Sequence, residues 1–141
     1  MPTILVPHDG SSNAQDALTY ALETFPDATI VLFHAIDPFE VTPDEESLPP
    51  LTDEWLEGQH AEANALFERA LESVDDHIQE RIETATAVGS PAQSIVGYLE
   101  DAGVDQLVMG RRGRGKAPHA QMGSTAEIVI KRASVPVTVV R

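Results

Sequence analysis

Five short apolar runs recur along this chain, and apolar residues spaced for a helix lie between them. The runs are TILVP (3–7), ATIVLFHA (28–35), IETATAV (82–88), QLVM (106–109) and VPVTVV (135–140). Short runs of this kind, bounded by turn residues, read as strands. The first helical segment carries Ala14, Ala17, Leu18, Ala21, Leu22 and Phe25, is entered through DGSSN (9–13) and is closed by Pro26. The second follows Asp53, with Gly58 marking a break near its start. It lines Ala63, Leu66, Phe67, Ala70, Leu71, Val74 and Ile78 along one face. The third spans 89–103, with Ser90 as cap, Pro91 in the first turn, Gly103 at the end and Ala92, Ile95, Val96 and Leu99 as its apolar face. The fourth starts near Gly123 and shows Ala126, Val129, Ile130 and Ala133. Strands alternating with helices predict an α/β fold, a parallel sheet covered on both faces. Near-continuous apolar strands fit that burial. In such folds ligands sit beyond the carboxyl ends of the strands, near the topological switch point. The first run ends at HDG and the fourth at MGRRG, so both ends share one rim.

A chain of 141 residues predicts one domain with a real core, and 42% hydrophobic residues argue against disorder. No apolar run reaches about eighteen residues, so no transmembrane helix is expected. MPTILVPHDG does not read as a signal peptide, and the absence of Cys removes thiol and disulfide chemistry. A cytoplasmic location is the expectation. Charge is distributed unevenly. Residues 1–109 hold 22 acidic residues against Arg69 and Arg81, whereas 110–141 hold Glu127 alone against seven basic residues. The acidic body would repel nucleic acid. With only two Lys and a net charge of −14, the composition resembles that of proteins from extreme halophiles.

Four of the scarce cations, Arg111, Arg112, Arg114 and Lys116, fall in the glycine-rich stretch MGRRGRGKAPHAQMGST (109–125). GRRGRGKA fits the start of a Walker A loop, but Ala117 stands where Ser or Thr should hold Mg²⁺, and Pro118 follows where a helix should begin. A nucleic-acid patch lacks interleaved aromatics and would have to overcome the acidic body. A connector with solvated charges is the bland reading. A mononucleotide loop uses every unusual residue. Gly110 and Gly113 let backbone approach a ligand. The amides and hydroxyls of GST (123–125) then meet phosphate at a helix N-terminus, with loop cations such as Arg112 neutralising charge.

Gly110-x₂-Gly113-x₉-Gly123-Ser124 resembles the glycine motif of the universal stress protein family. ILVPHDGSSNAQDAL, VGSPAQSIVGYLEDAGVDQLVMGRRGRG and GSTAEIVIKRASVPVTVVR are similar to that family's first, middle and last blocks, so the resemblance spans nearly the whole chain. It implies a Rossmann-like, single open five-stranded parallel sheet in the order 3-2-1-4-5. In the family, retention of the glycine motif marks the members that bind ATP. Carried over, Asp9 would sit at the adenine–ribose end and Ala35 would offer backbone to adenine. Met109, Gly110 and Gly113 would line ribose and phosphates, and Gly123, Ser124 and Thr125 would hold the phosphates. The implied ligand is ATP or AMP, with Mg²⁺ as companion, and the implied role is that of a sensor or regulator. The loop interior 114–122 departs from the family's usual small–Gly pair, with Pro118 and His119.

The last strand reads as an apolar edge, and the resemblance implies a homodimer through 135–140. A nucleotide-free interaction module is the alternative. A pyrophosphatase on a related fold is weaker, because HDGSSN lacks a Ser-Gly-Gly loop. No catalytic residues are legible, and at most slow hydrolysis is expected. His8 and His34 end adjacent strands; a metal pair without a third ligand is weak, so packed, neutral rings are expected. His60 and His77 read as solvated. Trp55 reads as a cap on the core or as a lid. The Pro-rich, acidic 37–52 reads as a loop.

Overall fold

TILVP becomes the central strand of the sheet. In the computed structural model, which describes residues 1–38, 52–111 and 122–141, β1 (Thr3–Pro7) pairs in parallel with β2 (Thr29–Ile36) on one side and β4 (Gln106–Gly110) on the other. β3 (Ile82–Val88) pairs with β2 and β5 (Val137–Val140) with β4. The sheet is five-stranded, parallel throughout, in the order β3-β2-β1-β4-β5. That is the order the family resemblance implies.

Strand alternation sends side chains to two cores. Ile4, Val6, Ile30, Leu32 and Val108 meet α1 (Ser12–Thr24) and α2 (Asp53–Leu71) on one face. Leu5, Val31, Phe33, Leu107 and Met109 meet α4 (Pro91–Asp101) and α5 (Ser124–Arg132) on the other. Burying both faces of the sheet explains why β1, β2 and β4 read as unbroken apolar runs. Among the described residues, no helix is long and apolar enough to cross a membrane.

Three local expectations are corrected. Gly58 does not break a helix: α2 runs through it, and a Cβ there would meet nothing within 4 Å. The Thr52 hydroxyl accepts from Trp55 N–H at 3.1 Å, and Asp53 and Glu54 sit in the first turn. That cap and the favourable dipole charges offset the roughly 1 kcal/mol a mid-helix glycine costs. Conversely, α2 does not continue to Val74 and Ile78. It ends at Leu71, followed by the short α3 (Asp76–Gln79), because Gln79 Nε2 donates to the carbonyls of Leu71 (3.1 Å) and Val74 (2.8 Å). Ser90 occupies the N-cap of α4, as expected, without a side-chain capping bond. Ile130, read as core, is 41% exposed; α5 buries Ala126 and Val129 instead. Strand ends shift by one or two residues, and 39–51 of the predicted acidic loop lie outside the described residues.

Candidate functional site

At the carboxyl rim the chain leaves β1 toward α1 on one face and β4 toward α5 on the other, which opens the crevice where open α/β sheets bind ligands. The β1–α1 turn is tightly held. Ser11 N–H donates to Asp9 Oδ1 at 3.0 Å, and the Ser11 hydroxyl accepts from Ala14 N–H at 3.2 Å, capping α1. Gly10 takes φ +87°, a region that favours glycine. Its N–H donates to His8 Nδ1 at 3.0 Å.

Across the crevice, β4 ends under the first turn of α1. A Cβ on Gly110 would lie 2.8 Å from both the carbonyl carbon and oxygen of Asn13. Arg111 N–H donates to Val140 C=O at 3.0 Å, and Arg111 C=O accepts from Gly123 N–H at 2.9 Å. The second bond holds Gly123 against Arg111 and starts α5 beside the end of β4. Gly123 is the N-cap of α5 and has no side chain to cap it. The first-turn amides of that helix therefore point to the rim without an intrahelical partner.

His8 and His34 stand on neighbouring strand ends. His34 Nδ1 donates to His8 C=O at 2.8 Å, and His8 N–H donates to Phe33 C=O at 2.7 Å. His8 is 5% exposed, and its burial pushes the ring below the ordinary histidine value; Gln15 and Asp9 pull it back up and His34 pushes it further down. Both rings are hydrogen-bonded; His8 is packed in the core, as the sequence leads one to expect, and His34 is half-buried. Among the described residues no group of three or more His, Cys, Asp or Glu is placed to hold a metal ion.

The model of the universal stress protein family matches residues 1–141. The chain belongs to this family. It is 30% identical to the universal stress protein MJ0577 of Methanocaldococcus jannaschii, over 98% of this chain and 93% of that one. The structure of the universal stress protein UspA from Lactobacillus plantarum superposes with a TM-score of 0.78 at 25% identity, covering 99% of this chain and 97% of that one. A universal stress protein family member from Arabidopsis thaliana, solved with AMP bound, has the same fold. Its TM-score is 0.64 at 19% identity, with 99% and 91% of the two chains covered.

Of the positions that the universal stress protein motif singles out, Asp9, Gly110, Gly123, Ser124 and Thr125 share the rim of β1 and β4. Ser124 is exposed and Thr125 half-buried. Ala35 lies one strand further out, on β2, half-buried opposite Ala87 of β3. Met109 is 5% exposed and packs into the core under α4 and α5. Arg112 and Gly113 lie outside the described residues, as do Lys116, Pro118 and His119. Trp55 is half-buried in the first turn of α2. Sequence reasoning missed Asn13, whose backbone occupies the space at Gly110, and Gln15, which bridges His8 Nε2 (2.9 Å) and Ala70 C=O (3.0 Å). No local pattern announces either contact, because each joins residues distant in sequence or hidden by helix phase.

Proposed function

We propose that this universal stress protein binds an adenine nucleotide, ATP foremost, at the rim between β1 and β4, and acts as a sensor or regulator through that occupancy. The observation that carries this reading is the 2.9 Å bond from Gly123 N–H to Arg111 C=O. It brings the two ends of the Gly110-x₂-Gly113-x₉-Gly123-Ser124 spacing together and sets the open N-terminus of α5 against the end of β4. α5 opens on a glycine, with no side chain to occupy its first-turn amides. Its amides and positive dipole end suit a phosphate, with Ser124 and Thr125 as hydroxyl donors and Arg112 as a loop cation. Asp9 and Ala35 fit the adenine–ribose end. The AMP bound by the Arabidopsis thaliana relative supports an adenine nucleotide as the ligand class. With no acidic cluster at the described rim, Mg²⁺ would be held chiefly by the phosphates of ATP. The protein is proposed to work in the cytoplasm as a homodimer through β5, without binding nucleic acid.

The test is nucleotide content and binding. Protein purified at high salt and then denatured should release ATP or AMP, identified by anion exchange. Gly123→Val should lose that nucleotide and its calorimetric response to ATP while staying folded, because φ −69° and ψ 157° suit any residue. The same loss is expected for Gly113→Val. Binding that survives both changes would place the site elsewhere. A wild-type chain that neither carries nor takes up nucleotide would leave the ligand-free interaction module as the reading.

A further inference from the structure

His8 is the buried polar side chain in the described core, and its two ring nitrogens do opposite things. Nδ1 accepts from Gly10 N–H at 3.0 Å, so it carries a lone pair. The proton is therefore on Nε2, which donates to Gln15 Oε1 at 2.9 Å. Gln15 Nε2 passes the connection on to Ala70 C=O at 3.0 Å. One neutral ring thus ties the Asp9–Gly10 turn to α1 and, through α1, to α2. Among the described residues no buried side-chain polar atom lacks a partner, so this network is complete as it stands.

A second proton on the ring would sit on Nδ1 and turn the acceptor of Gly10 N–H into a donor. Two N–H groups would then face each other across a part-buried contact, which loses the hydrogen bond and sets donor against donor. The charged and titratable groups around the ring are Asp9 beside it, His34 from β2, Asp16 from α1, Arg69 from α2 and Glu72 just past the end of α2, along the same groove. Of these, Asp9 favours the charged ring and His34 opposes it, while burial is the largest influence and keeps the ring neutral.

We infer that His8 is a positioning residue for the rim, and that nucleotide binding weakens in acid because the charged ring releases the Asp9–Gly10 turn. This rests on the nucleotide reading above. The sign follows from linkage. A ring that resists its proton in the folded state keeps the neutral arrangement complete above the ordinary value of 6.5, and loses it as pH falls from there through the lowered value.

The experiment compares wild type with His8→Asn. The Asn carbonyl oxygen stands near the place of Nδ1 and can accept from Gly10 N–H, but it does not titrate. AMP is titrated calorimetrically into both proteins from about pH 8 to about pH 5, at constant salt. Wild-type affinity should fall about tenfold for each pH unit below the value at which His8 titrates. The variant should keep only the pH dependence that AMP and the other groups of the rim contribute to both proteins. Identical profiles would overturn the inference. The amide resonance of Gly10, followed without ligand, gives an independent reading that needs no variant. It should shift with the same midpoint as the His8 ring, and a Gly10 amide indifferent to that titration would also overturn the inference. If AMP binds neither protein at about pH 8, the nucleotide reading fails and takes the binding half of this inference with it. The response of the turn is still decided by Gly10.

Discussion

At Gly110 the chain has no room for a side chain. The Asn13 carbonyl group would stand 2.8 Å from a Cβ, and it belongs to helix backbone, which cannot swing aside as a flexible side chain would. Gly110→Ala should therefore push α1 off the end of β4 and cost about 1–3 kcal/mol, as overpacking does. A urea midpoint equal to that of wild type would refute this. Gly123 differs, since its backbone is open to any residue and its substitution should spare stability. The spacing in the sequence picks out both glycines together, but the reasons differ. At 110 the reason is a helix that starts about a hundred positions earlier, and nothing near Gly110 in the sequence points to it. The binding role read for Gly110 and its packing role can coexist, because a helix seated this closely on β4 is also what fixes the wall of the crevice.

At the scale of elements, periodicity was a good guide to where strands and helices lie, because each buries one face against the sheet. It was a poor guide to where they end. The end of α2 depends on Gln79 reaching back to Leu71 and Val74. The end of α1 depends on Arg81, from just before β3. Its guanidinium donates to Leu22 C=O (2.9 Å), Phe25 C=O (3.0 Å) and Ala28 C=O (3.1 Å). α1 has no basic residue in its own last turn, so Arg81 both satisfies terminal carbonyls and meets the negative end of the helix dipole. It is one of two bases in the first 109 residues. Arg81→Met should cost about 1–3 kcal/mol by removing charge-assisted bonds and leaving carbonyls unpaired. Arg81→Lys should recover only part, because a single ammonium cannot span the three acceptors. Urea unfolding measures both losses, and amide exchange should quicken first around Phe25. Full stability in the Lys variant would show that charge alone matters there.

Over the whole molecule, charge is divided along the sheet. The first 109 residues carry almost all the acid, while the segment that builds α5 and β5 carries Lys131, Arg132 and Arg141. β5 is an edge strand, VTVV, without a charge of its own, whereas the opposite edge, β3, bears Glu83. An uncharged edge is the one that invites pairing. Two copies joined through β5 about a two-fold axis would present the same surface to each other, basic side against basic side. The acidic body meanwhile repels itself within each copy. Both repulsions reach about 10 Å at 0.1 M salt and only about 3 Å at 1 M. Raising KCl across that range should therefore increase both the melting temperature and the dimer fraction seen by light scattering. A monomer that persists at about 1 M salt would rule out the β5 interface, since screening has then removed its electrostatic opposition. A dimer whose melting temperature ignores salt would instead show that the acidic residues are spaced widely enough not to strain the fold. The net charge of −14 would then be a matter of solubility alone.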